Sequence, residues 1–312
     1  MAELFETLTG VTAAYRELGA RGTLRLTGGD RVRFLEGMLS NEVGGLAAGE
    51  TCPALQLSRK GRILADLVVL AFEDSFLLDV AAGATTQVRQ IHERHIVADD
   101  VAIADLSEAW GQLGLEGPGV GAALEREHLP YPAPGRFEVA ERQGQTLLFL
   151  GEGSLTPEGV RVLGPREPIA GLPTALGLGP LADADAEVLR IEAFLPCYGI
   201  DVSDRNFPAE ARLEGAVSYT KGCFIGQEIV ARIRSRGAVK RFLVQIRSEA
   251  SLERGAAILV DHTVVGEITS TAASAATGPV ALGYVRAAEA TPGTALDLEG
   301  VAGTIVGPPA DS

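Results

Sequence analysis

The chain has 312 residues, 46% of them hydrophobic and 22% charged, with a formal net charge of −14 at pH 7. That length suits two domains, or one elaborated domain plus a small one, at about 100–200 residues each, and that composition excludes global disorder. The negative field opposes non-specific contact with nucleic acid and anionic membranes; three cysteines far apart (Cys52, Cys197 and Cys223) exclude a disulfide scaffold and a self-contained iron–sulfur site, which wants about four thiolates.

Residues 1–10 carry Glu3 and Glu6 and no long apolar core, so no secretory signal is expected there. The most apolar run, residues 63–72, is too short for a bilayer and contains Asp66. A cytoplasmic protein with no membrane partner is expected. Residues 23–27 alternate and predict a strand; Gly28-Gly29 turn the chain, and Asp30 suits the N-cap of a helix with Phe34, Leu35, Met38 and Leu39 on one face. Residues 54–58 and 63–72 predict two strands joined at Lys60-Gly61, residues 76–80 another strand after Glu73-Asp74-Ser75, 85–96 a helix, and 101–106 a strand. Residues 136–150 read as a hairpin turning at Gln143-Gly144, and 184–194 as a helix leading into Leu195-Pro196-Cys197-Tyr198-Gly199. After Gly237 come short strand-like runs at 242–246, 256–260, 264–269, 280–285 and 301–306, separated by Gly, Pro, Ser and Thr. The pattern is α+β, with residues 1–236 as the main region and 237–312 as a small all-β barrel or sandwich.

The stretch Lys221-Gly222-Cys223-Phe224-Ile225-Gly226-Gln227-Glu228 places a thiol between glycines, beside a lysine and before a predicted helix. Helix N-termini and cations favour the thiolate, which is the nucleophilic and metal-binding form. The bland alternative is a small buried apolar residue. Residues 221–241 hold six basic side chains (Lys221, Arg232, Arg234, Arg236, Lys240 and Arg241) against a single acid, Glu228. They read either as a solvated helix face or as an anion site for carboxylates or phosphates. Asp66 interrupts an apolar run and is costly there unless it faces water or a polar cavity, where desolvation would raise its pKa and suit it to proton handling. Glu192 and Tyr198 could bracket a heteroaromatic ligand, or Glu192 could simply be exposed. His92 and His95 lack a third metal ligand and read as part of a plain surface helix. No Walker loop, dinucleotide fingerprint or nucleophile elbow is present. Aromatics that could stack on bases are not interleaved with the basic segment, so direct tRNA binding has no support.

Taken together, these motifs resemble the YgfZ-type folate-binding proteins, relatives of the aminomethyltransferase (T-protein) of the glycine cleavage system. The most specific part is 221–228, with Val230-Ala231-Arg232, Gly237 and Lys240-Arg241 after it; 28–43, Lys60-Gly61-Arg62 to Asp66, 266–270 and 282–285 add to the likeness. The resemblance implies aminomethyltransferase-like folate-binding subdomains, two of them intertwined in residues 1–236, with a C-terminal antiparallel β-barrel. It implies tetrahydrofolate or a one-carbon derivative as cofactor, held by Asp66, Glu192, Tyr198, Lys221, Gln227 and Arg232, the basic segment taking the acidic tail. It further implies an accessory role toward iron–sulfur client enzymes, including tRNA-modifying ones, with Cys223 as a reactive or transiently cluster-sharing thiol and Asp66 as the second reactive residue. The alternative is a folate-dependent aminomethyltransferase of the glycine cleavage type. Phe194 stands where the family often has glycine, and is expected to narrow the pocket.

Overall fold

Alternation along the predicted strands of the N-terminal half builds one antiparallel sheet. In the computed structural model, which describes residues 1–19, 21–237 and 239–307, its order is Thr51–Leu57, Ile63–Ala71, Ser75–Val80, Gly22–Thr27 and Ala102–Asp105. On one face, Leu24, Leu26, Leu67, Val69 and Leu78 pack against Phe34, Leu35 and Met38 of the helix Arg31–Met38 and Val88 of the helix Thr85–His95. Because strand side chains alternate, the intervening residues face the other way. Leu70 and Leu77 there meet Phe137, Leu148, Leu150 and Leu163 of a second sheet.

That second sheet runs Gly179–Pro180, Ala14–Glu17, Trp110–Glu116, Val160–Pro165, Gln145–Leu150, Phe137–Arg142. One of its inner strands, Ala14–Glu17, precedes the whole first sheet in sequence, so the two sheets are interleaved along the chain. The predicted hairpin turn holds: Gln143 and Gly144 both have positive φ, 54° and 71°, as a tight two-residue connection requires. The C-terminal strands close into a six-stranded barrel, ordered Arg241–Ser248, Gly278–Arg286, Thr263–Ser274, Ala257–Val260, Ala295–Leu298 and Val301–Gly307. The α+β fold with a C-terminal barrel is therefore as expected.

Two further helices lock these parts together. Asp183–Glu192 packs through Ile191, with the following Phe194, against Leu243, Val280, Leu282 and Tyr284 of the barrel. Gln227–Arg236 seats Val230 on Leu55, Leu57 and Ile63 at the tip of the first hairpin. Gly226, just ahead of it, has φ +87°, and a Cβ there would lie 2.5 Å from the Ser58 carbonyl oxygen, so the close docking needs glycine. Gly222 meets no such restriction.

Candidate functional site

The seam between the two sheets is apolar at the end marked by Leu70 and Leu77 and polar at the other. On the strand Ile63–Ala71, residues 66, 68 and 70 face the seam; on Ser75–Val80, residues 77 and 79 do, and Val68 pairs in register with Asp79. Moving from Leu70 to Asp66 thus leaves the core and enters a cavity of about 390 Å³. Arg16, Leu18, Arg21, Asp66, Val68 and Ala81 line it from the first part of the chain, Gly153 to Leu155 and Arg161 from the second sheet, and Arg190 and Leu195 to Tyr198 from the segment that leads to the barrel.

Asp79 is the electrostatic anchor. Its side chain is wholly buried and accepts hydrogen bonds from Arg21 Nε at 2.9 Å, Gln112 Nε2 at 3.0 Å and Arg161. Burial works against its charge, but Arg21, Arg161 and these bonds outweigh burial and hold its pKa below the ordinary aspartate value. Asp66 is the freer carboxylate. Its Oδ2 lies 3.8 Å from Arg21, and its side chain is 37% exposed, to the cavity. Burial raises its pKa; Arg21 offsets part of the rise and Asp79 adds to it. Two carboxylates sharing one guanidinium are thus pushed apart: Asp79 stays ionised, while Asp66 holds a proton to higher pH than a solvated aspartate. Burial likewise raises the Cys197 thiol and the Tyr198 hydroxyl, both on the cavity wall. A third carboxylate shapes the cavity from outside. Glu116, fully buried, accepts the amides of Ser154 (2.9 Å), Leu155 (3.2 Å) and Thr156 (3.0 Å), together with both hydroxyls of Ser154 and Thr156, and so fixes the 153–156 turn.

Of the residues singled out in the sequence, Asp66 and Tyr198 meet in this cavity. The others lie elsewhere. Glu192 follows Arg190 by two helical residues, a rotation of about 200°, and points at the barrel, where Arg247 holds it at 2.7 and 2.8 Å. The Lys221 side chain is almost wholly buried, with Nζ 3.0 Å from Glu36 and donating to the carbonyls of Leu39 (3.0 Å) and Asn41 (2.6 Å); it clamps the helix Arg31–Met38 to the motif. Cys223 is exposed and shares a surface groove with Arg59 and Gln227. The helix expected to begin beside it starts at Gln227. Arg232 pairs with Glu228 at 2.6 Å and Arg234 lies over Tyr219, and none of the six basic residues of the run lines the cavity. Phe194 does not line the cavity either: its ring is buried against the barrel at φ +54°, a left-handed conformation that glycine takes more easily. His92 is buried rather than on a surface face, and its Nε2 lies 2.8 Å from Gln56 Oε1. Among the described residues no group of three His, Cys, Asp or Glu could hold a metal, and no helix is long and apolar enough to cross a membrane.

Sequence reasoning missed Arg21, Asp79, Arg161, Arg190 and Asp201. Asp79 carried the signal that marked Asp66, an aspartate inside an apolar strand (Phe76-Leu77-Leu78-Asp79-Val80). The arginines carried none, because only the meeting of the two sheets brings them to it.

This architecture has known relatives. Residues 12–128 match the GCVT N-terminal domain, and residues 240–309 the glycine cleavage T-protein C-terminal barrel domain. An aminomethyltransferase of Streptomyces coelicolor is 30% identical over 307 residues, covering 91% of this chain and 82% of that one; an aminomethyltransferase of Exiguobacterium sibiricum is 25% identical over 86% of this chain and 79% of its own. The crystal structure of the glycine cleavage system aminomethyltransferase T from Bartonella henselae superposes with a TM-score of 0.88 at 22% identity, over 99% of this chain and 88% of that one, a likeness of fold. The chain belongs to the aminomethyltransferase, or glycine cleavage T-protein, family.

Proposed function

We propose that the chain binds tetrahydrofolate in the Asp66 cavity and acts as a folate-dependent one-carbon transferase of the aminomethyltransferase type. The observation that carries this reading is the pairing of Asp66 with Asp79 through Arg21, which leaves one carboxylate ionised and structural and the other facing the cavity with a raised pKa. Family membership supports it, since aminomethyltransferases of this kind use tetrahydrofolate.

The donor set suits that molecule. A folate has a flat ring rich in N–H donors and a carboxylate tail. Asp66 offers acceptor oxygens; Tyr198 an aromatic ring; Leu18, Val68 and Leu155 apolar walls; and Arg16, which has no ion-pair partner among the described residues, a guanidinium for a carboxylate. The volume lies within the range of about 300–1,000 Å³ usual for small-molecule sites. When bound, tetrahydrofolate would supply nitrogens that accept a one-carbon unit. Asp66, on the cavity wall, would hold the ring by accepting an N–H, and its raised pKa suits it to hold or pass a proton.

The assay is ammonia release from an aminomethyl-loaded lipoyl carrier with tetrahydrofolate present. Turnover that falls with Asp66→Asn and is indifferent to Cys223→Ala is the expected result; no turnover above background would reject the transferase reading. A second reading rests on the exposure of Cys223 on a groove apart from the cavity, where a partner protein could reach the thiol. The 221–228 motif that suggested YgfZ-type proteins supports it, and so an accessory role toward iron–sulfur enzymes. Loss of client-enzyme activity with Cys223→Ala, with folate binding intact, is its test; full complementation by that variant rejects it.

A further inference from the structure

The wall of the cavity formed by Leu195 to Tyr198 is held by a buried polar cluster that no feature of the sequence announced. Asp201, whose side chain has no exposed surface, accepts four hydrogen bonds. Its Oδ2 takes Arg190 at 2.7 Å and the Cys197 amide at 2.9 Å; its Oδ1 takes Thr269 Oγ1 at 2.5 Å and Ser270 Oγ at 2.6 Å. Four bonds fill the acceptor capacity of a carboxylate. Arg190, itself on the cavity, also donates to the Leu195 carbonyl at 2.7 Å and to Ser270 Oγ at 2.6 Å, and is held by Glu187 at 2.5 Å.

Thr269 and Ser270 are consecutive residues of a barrel strand, and consecutive strand side chains normally point to opposite faces. Here the pairing of Thr263–Ser274 with Gly278–Arg286 slips between Ile268 and Ser270. This bulge turns both hydroxyls to the same carboxylate oxygen, the kind of re-aiming bulges perform beside functional sites. The geometry points to Asp201 and Arg190 as positioning residues through which the bulge of the C-terminal barrel sets the 195–198 wall of the ligand cavity. The barrel is then part of the binding machinery and more than a neighbouring domain. The wall-setting role stands apart from the folate reading; its effect on affinity rests on that reading.

The test uses the full chain and its own cysteines. Iodoacetamide labelling, resolved by peptide mass spectrometry, reports Cys197 on the wall and Cys52 in the first sheet in one sample. Loss of a charge-assisted bond predicts that Asp201→Asn raises Cys197 labelling about tenfold with Cys52 unchanged, and raises the tetrahydrofolate Kd by a similar factor. Ser270→Ala shifts Cys197 in the same direction by a smaller factor, and Ser270→Thr, which keeps the hydroxyl, restores the wild-type rate. Should Asp201→Asn fail to fold, the Ser270 pair decides. Equal acceleration of Cys197 and Cys52 would mean the cluster merely holds the fold together, and unchanged Cys197 labelling would mean it does not hold the wall; either overturns the proposal. If the wild type binds no tetrahydrofolate, the folate reading fails and the labelling alone decides the wall.

Discussion

Asp79→Asn probes the electrostatic frame of the cavity. The carboxylate is fully buried between two guanidiniums, Arg21 and Arg161, of which Arg161 is 7% exposed and Arg21 21%. Asparagine keeps one acceptor but removes the charge and turns N–H donors toward cations. Breaking a buried pair in this way costs about 3–5 kcal/mol, because it leaves charge uncompensated. Against a typical total of about 5–15 kcal/mol, that is a large share. Urea unfolding followed by the single tryptophan, Trp110, which packs at the same seam, reads it directly. The pH dependence gives a second check. The folded pKa of Asp79 lies below its unfolded value of about 3.9, so its stabilisation is complete above that value and is lost as pH falls through the folded one. The gap between wild type and variant should therefore be full at neutral pH and close in acid. A gap under about 1 kcal/mol at pH 7, or one that widens as pH falls, would refute the reasoning.

Burial lowers the His92 pKa to about 3 and so keeps the ring neutral as pH falls, whereas the unfolded chain protonates near 6.5; wild-type stability should drop below pH 6.5 by about 1.4 kcal/mol per unit, and His92→Phe should remove that slope in denaturant titrations at pH 7 and 5. Phe194→Gly relieves a left-handed φ worth about 1–2 kcal/mol but forfeits a buried ring worth about 3–5 kcal/mol. A net loss of about 1–4 kcal/mol by urea midpoint is expected; net stabilisation would show that the barrel contact is idle. Arg232→Ala removes a half-exposed pair with Glu228, so stability within about 0.5 kcal/mol of wild type and an unchanged tetrahydrofolate Kd are expected in calorimetry. A tenfold weaker Kd would restore the basic segment to the ligand.

Local pattern carried the fold further than the site. Strands with clear alternation, such as Gly22–Thr27 and Ile63–Ala71, and helices with an apolar stripe, such as Arg31–Met38, were legible because their burial is decided within a few residues. The strands Ala14–Glu17, Trp110–Glu116 and Val160–Pro165 were not: their glycines, arginine and tryptophan obscure the period, and Trp110–Glu116 finds its partners about 100 residues before it and about 50 residues after it. Asp66 was legible as an acid in an apolar strand. The assignment of ligand contacts to Lys221, Gln227 and Arg232 came from the resemblance, whereas in the fold the helix that carries Arg232 docks on the hairpin tip at 57–63, Arg232 pairs with Glu228 and Lys221 with Glu36. Glu192 shows the same limit at smaller scale. Two helical steps separate a cavity residue, Arg190, from a barrel-facing one.

Calorimetric titration of tetrahydrofolate into the wild type and Asp66→Ala tests the central claim most directly. Saturable one-to-one binding by the wild type, weakened about 10- to 100-fold in the variant by loss of a charge-assisted hydrogen bond, is the predicted result. Absence of binding by the wild type, or equal affinity in the two proteins, would contradict the placement of folate at Asp66.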